Sequence, residues 1–167
     1  ENGNFSYNGA SKMDPKDRRK CILGYVVALC NENGGRLVLG MHDAYPHAVV
    51  GTSQSLNAIG VLESEIYKDL GIRPMIYELY DENKKRVLVI EVPPRPTGKL
   101  YKFEDVPLMR VGEELKPMDD KTYISIIQEQ EPDFSERICD EATFDDLDLE
   151  AIEILKEKYS IKQKNPS

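Results

Sequence analysis

The chain has no tryptophan, only two histidines and three cysteines, and no apolar run near the roughly 18 residues that a membrane helix needs. Each shortage excludes something. His42 and His47, without a supporting Cys/His cluster, are too few for a zinc site, and the adjacent residues His42 and Asp43 would point to opposite faces of a strand. Cys21, Cys30 and Cys139 are odd in number and lack metal-ligand spacing, so they read as reduced, buried thiols of a cytoplasmic protein rather than a disulfide framework. No signal-peptide pattern is visible. A Gly-x-Ser-x-Gly elbow is missing, and the abundant carboxylates show no spacing that pairs them on one face. We therefore expect no catalytic set, no metal and no cofactor.

Charge is present in quantity: 31% of the 167 residues are charged, and the net charge is −8. Its distribution matters more than its sum. Residues 1 to 118 hold 16 Lys and Arg against 16 Asp and Glu, whereas residues 119 to 167 hold 6 against 14. The first part is neutral, so a basic face there has to come from clustering. This shift divides the chain into a domain at 1–118 and an acidic helical tail at 119–167.

The stretch Asp14 to Asp43 organises the domain. Asp14 suits a helix N-cap and Pro15 the first helical position, where its missing amide hydrogen costs nothing. Ile22, Val26 and Leu29, beside Leu23, Val27 and Cys30, make an apolar face too wide for a surface helix. The spacing predicts one core helix over 15–31, a turn at Gly34-Gly35 and a central strand from Arg36 to Met41. The glycine pair does not suit a phosphate loop, since it follows a helix and opens a strand, the reverse of that motif's polarity.

Further along, Phe5 and Tyr7 fit a short edge strand, and Val49-Val50 a strand fragment after a loop. Leu56, Ile59, Leu62, Ile66 and Leu70 predict a second helix over 55–70, stopped by Gly71. Alternation over Ile72 to Tyr80 and Arg86 to Val92 predicts a hairpin. A second hairpin, Leu100 to Phe103 with Val106 to Val111, turns at Glu104-Asp105 and should end the sheet. Asp119 caps a helix running to about Gln130. Residues 133 to 148 read as acidic linker, and Leu149 to Tyr159 as an amphipathic helix with the look of a further domain's beginning. The fold class is thus α/β (α+β), with a mixed sheet on two main helices.

Basic residues fall into groups. Lys16, Arg18, Arg19 and Lys20 open the core helix, and Lys84, Lys85 and Arg86 surround a hairpin turn. Arg95, Lys99, Lys102 and Arg110 stand on or after a loop stiffened by Pro93, Pro94 and Pro96, with Tyr101 and Phe103 interleaved. That composition suits phosphate contact and base stacking.

The order of motifs Ala28-Leu29-Cys30-Asn31-Glu32-Asn33-Gly34-Gly35, Leu37-Val38-Leu39-Gly40-Met41-His42-Asp43, Val49-Val50-Gly51, Ile72-Arg73-Pro74, Val89-Ile90-Glu91-Val92 and Met109-Arg110-Val111-Gly112 resembles the Schlafen AlbA-type domain over about residues 5 to 118. That family is described as DNA-binding and is common in bacterial transcriptional regulators and RecG-related ATP-binding proteins. Asn31, Gly34, Gly35, Gly40, Asp43 and Gly51 carry the signature and are expected to build the fold. The resemblance implies a nucleic-acid partner, DNA before RNA, with Arg95, Lys99, Lys102 and Arg110 as first contacts and Arg18, Arg19 and Arg36 as second. One departure bears on catalysis. The family opens with Glu-Phe-Lys, and Schlafen nucleases draw acids from that region, but Ser6 and Asn8 occupy the two charged positions here. A metal-dependent nuclease needs converging carboxylates, so cleavage, with Asp43 or Glu32 as its acids, ranks below two other functions. These are nucleic-acid binding and a protein-interaction module able to form homo-oligomers through an open strand edge.

Overall fold

The computed structural model describes residues 5–112, 114–129, 143 and 148–159. The chain divides into two units, Glu1–Glu131 and Pro132–Ser167. In the first, Asp14 accepts the Lys16 amide at 2.7 Å and starts helix α1, Pro15–Arg19. The expected single helix over 15–31 is broken here. Cys21 is extended, with φ −146° and ψ 174°, and helix α2 runs from Ile22 to Asn31. The cause is distant in sequence: the Ile22 and Leu23 amides donate to the Ser6 and Tyr7 carbonyls at 2.9 and 3.1 Å. The N-terminal segment caps α2, so residues 5 to 8 form no edge strand. Nine of the ten α2 residues are buried, all but Tyr25. Each large aliphatic among them contributes about 1.5–3 kcal/mol by leaving water.

Strand β1, Gly35–Leu39, is an edge strand and not the central one. That place belongs to β3, Arg86–Val92, which pairs antiparallel with β1 and with β2, Met75–Tyr80. β3 is buried at six of its seven positions because strands flank both its edges. Register puts Leu37, Leu39, Ile76, Leu88 and Ile90 on the face that joins the core. Past β1, Met41 bridges Val49.

A second antiparallel sheet holds β4 (Lys102–Phe103), β5 (Val106–Val111) and β6 (Glu114–Pro117) in that order. The strands thus divide between two antiparallel sheets, where one mixed sheet was expected, and the α+β class holds. β6 extends the sheet beyond its expected end: Glu-Leu-Lys-Pro has no alternating signal of its own, and pairing with β5 makes it a strand. Helix α2 packs against strands of both sheets.

Helix α3, Ile59–Leu70, packs on β2 and ends at the left-handed Gly71. It starts later than 55, because Ser55 and Asn57 take left-handed backbone angles. In α4, Asp120–Ile127, Asp119 accepts the Thr122 amide at 3.0 Å, and the helix stops at Gln128, short of 130. The second unit contains α5, Leu149–Tyr159, capped by Asp148. Most of the expected linker at 133–148 lies outside the described residues. Among the described residues no helix is long and apolar enough to cross a membrane.

Two glycines hold the turns around β1. Gly34 has φ +90°, and a Cβ there would lie 2.8 Å from the Val92 carbonyl oxygen. Gly40 has φ +103°, with 2.8 Å to that of Arg86. Gly71, φ +68°, opens onto empty space. Alanine at Gly34 or Gly40 should therefore cost about 2–4 kcal/mol, backbone strain plus a clash with main chain, and alanine at Gly71 about 1–2 kcal/mol from strain alone. Urea unfolding midpoints check this, and equal losses at all three sites would contradict it.

Candidate nucleic-acid interface

The expected basic surface starts at the C-terminus of α2. Asn31 is 4% exposed and bonded on every side: its Nδ2 donates to the Tyr101 and Leu108 carbonyls, both at 3.0 Å, and its Oδ1 accepts the Tyr101 amide at 3.0 Å. One side chain thus fixes the loop before β4, and β5, to the helix. Arg95 adds a second tie. Its amide donates to Cys30 O, its Nε donates to Asn31 O at 3.1 Å, and its two terminal nitrogens grip Glu129 at 2.5 Å each. Such a fork on a carboxylate is the strong form of an ion pair. It holds Glu129 below its ordinary pKa, chiefly through the hydrogen bond from Arg95. The Arg95 side chain is only 6% exposed.

The other arginines are also engaged. Arg110 donates from its amide and, at 3.2 Å, from Nε to Glu32. Arg36 reaches Glu91 across the first sheet at 3.3 Å. Arg18 lies 2.7 Å from Glu104, and Arg19 3.8 Å from the same carboxylate. The lysines differ. Lys99 places its ammonium 4.5 Å from the centre of the Tyr101 ring, and Lys102 is exposed and makes no ion pair among the described residues. The fold therefore brings Lys99, Tyr101 and Lys102 together on one loop and strand, with Arg95 beneath as an anchor. Arg36 lies apart, on the other sheet.

The signature residues take structural places: Asn31 as above, Gly34 and Gly40 in turns, Gly35 at the start of β1, and Gly51 at φ +87°. Asp43 is fully exposed, 3.4 Å from His42 Nδ1. Ser6 and Asn8 make local turns, accepting the Gly9 and Ala10 amides at 2.9 and 3.1 Å. Among the described residues no three His, Cys, Asp or Glu side chains gather around a point where a metal could sit. The two thiols described, Cys21 and Cys30, are buried, and burial pushes Cys30 up to about 11.

Beside Lys102 lies an open depression of about 510 Å³, lined by Asn8, Arg18, Asp69, Lys102, Phe103 and Glu104 over Leu23 and Leu70. Tyr7 donates its hydroxyl to Asp69 at 2.8 Å, and its pKa is raised well above the ordinary value, first by burial and then by that bond. Local patterning does not signal this site, because its walls come from the N-terminal segment, α1, α2, α3 and β4.

A family model described as Schlafen, AlbA_2 matches residues 6–119. The chain belongs to this family. Among curated proteins no sequence matches it. Among solved structures, the crystal structure of the DIP2311 protein from Corynebacterium diphtheriae is similar, with TM-score 0.56 and 19% identity over 92% of this chain. The chain spans 32% of that protein's length. At such identity the likeness concerns the fold alone.

Two substitutions test the ties at the end of α2. Asn31→Asp sets a carboxylate against the Tyr101 and Leu108 carbonyls. It should cost about 3 kcal/mol at neutral pH, with part recovered as the carboxyl protonates. Glu129 bears on pH dependence. Its folded pKa lies below the ordinary 4.5, so its contribution is complete above that pH and is lost as pH falls through the lowered value. Glu129→Gln should flatten that acid limb in thermal melts from neutral to acid pH. An unchanged acid limb would count against the tie.

Proposed function

We propose that this AlbA_2 domain binds nucleic acid, DNA before RNA, as the recognition part of a transcriptional regulator. Membership of the family supports the class of partner. The observation that carries the location is the Lys99 ammonium over the Tyr101 ring, beside the exposed Lys102, on a loop held down by Arg95 and Asn31. Lysines not committed to carboxylates can release counterions on meeting phosphate, and an aromatic ring beside them offers a stacking surface. Arg18, Arg19 and Arg110 would have to leave Glu104 and Glu32 to meet phosphate, and Arg95 serves as an anchor. Arg36 is a contact only for a ligand that reaches the first sheet.

A mobility-shift titration tests the proposal. Binding should be weak and should fall steeply with salt. Lys99→Ala and Lys102→Ala should each weaken it and reduce the slope of log K against log salt by about one. No shift with duplex or single-stranded DNA or RNA at about 50 mM salt would overturn it.

A second function, as an interaction module, has one observation behind it. Val38, Met75 and Leu79 stand 40–60% exposed on the outer face of the first sheet. Sedimentation at several concentrations would show self-association, and a strict monomer would count against homo-oligomers.

A further inference from the structure

We infer that the depression beside Lys102 receives one unpaired nucleobase, guanine by preference, so that the ligand of this domain is single-stranded at this point. The inference rests on the nucleic-acid function proposed above and adds to it the place and identity of a recognised base.

Three observations point this way. The first is charge balance. Arg18, Lys102, Asp69 and Glu104 all line a space of about 510 Å³, with Arg18 and Glu104 paired at 2.7 Å on its wall. A cradle for bare phosphate would exclude carboxylates, whereas a base, polar at its edge and flanked by backbone phosphate, fits a lining of both signs. The second is the apolar surface. Phe103 is half-buried against the core, with Leu23 and Leu70 beside it in the lining, which gives a flat ring on fixed support. Unstacked bases are held on such rings. The third is the polar edge. Asp69 spends one oxygen on the Tyr7 hydroxyl and has the other to accept with. Asn8 uses its Oδ1 on the Ala10 amide, so its NH₂ group is a donor. Guanine presents two adjacent N–H donors and a carbonyl. The free Asp69 oxygen accepts one donor, and the Tyr7-bonded oxygen keeps a lone pair for the second, which thymine lacks. The Asn8 NH₂ donates to the carbonyl.

The walls are also set in advance. Glu104 and Asp105 form the β4–β5 turn with φ of +50° and +61°, left-handed angles that side-chain-bearing residues take up at a cost. The Arg18 and Arg19 guanidinium groups beside Glu104 hold that corner in place. A ligand therefore meets a formed groove and does not have to order it.

The test measures fluorescence anisotropy of the whole chain with labelled strands of about 12 nucleotides. The probes are oligo(dT), the same strand carrying interspersed guanines, and a duplex of matching length. We expect the guanine strand to bind tighter than oligo(dT), and both tighter than the duplex. Phe103→Leu keeps an apolar side chain against the core and should lower the ratio of single-strand to duplex affinity about tenfold. Asp69→Asn, on an exposed position, should abolish the preference for guanine, and it remains informative if the Phe103 variant fails to fold. Wild-type binding with no guanine preference, or with both variants unchanged, would overturn the inference and leave the binding function standing. No binding of any probe by the wild type would remove both.

Discussion

The C-terminus of α2 is the constraint on which the rest depends. A helix end leaves carbonyls without partners, and here the chain satisfies them with residues from far along the sequence. The Arg95 amide takes Cys30 O, and the Arg95 side chain takes Asn31 O. Asn31 in turn spends its own amide on Tyr101 and Leu108. Helix, proline loop, β4 and β5 thus share one junction, and the position of Lys99 and Lys102 follows from it. A buried amide with all its groups satisfied specifies geometry more sharply than apolar packing, because a shift of an ångström would leave donors unpaired in a dry environment.

The junction also accounts for how the basic residues divide. Arginine presents a rigid fork that suits carboxylates, and every arginine on the expected surface is paired with one: Arg95 with Glu129, Arg110 with Glu32, Arg18 and Arg19 with Glu104. Lysine is a point charge on a flexible stem, and the lysines of the same surface are left to solvent or to an aromatic ring. Neutrality of the first 118 residues is therefore partly local: Arg18, Arg19, Lys20, Arg36, Arg86, Arg110 and Lys116 are matched in place by carboxylates of the same stretch.

What was legible in the sequence was whatever depends on neighbours in the chain. The wide apolar face of α2, the Asp14 and Asp119 caps, the β2–β3 alternation and the Glu104-Asp105 turn all declare themselves within a few residues. What was not legible depends on partners far away. Cys21 looks helical from its surroundings and is not, because Ser6 and Tyr7 cap the helix that follows. β6 has no pattern and exists by pairing. At the candidate site, sequence reasoning found the lysines and the interleaved rings. It did not find that Arg95 is spent on Glu129, 34 residues on, nor that Asp69 and Asn8 share a groove with Phe103.

These facts bear on what kind of binding such a domain can achieve. Duplex affinity grows with the number of phosphates neutralised, and a surface whose lysines Lys99 and Lys102 make no ion pair among the described residues, beside several committed arginines, can neutralise few. Freeing an arginine means giving up an ion pair that stabilises the fold, so the cost falls on the domain itself. Stacking carries no such cost, since Tyr101 and Phe103 already lie partly exposed on a supported surface. Under the proposed nucleic-acid function, contact with base faces is the cheaper source of affinity for a neutral domain built in this way, and Lys99 and Lys102 would align the backbone that brings the bases in.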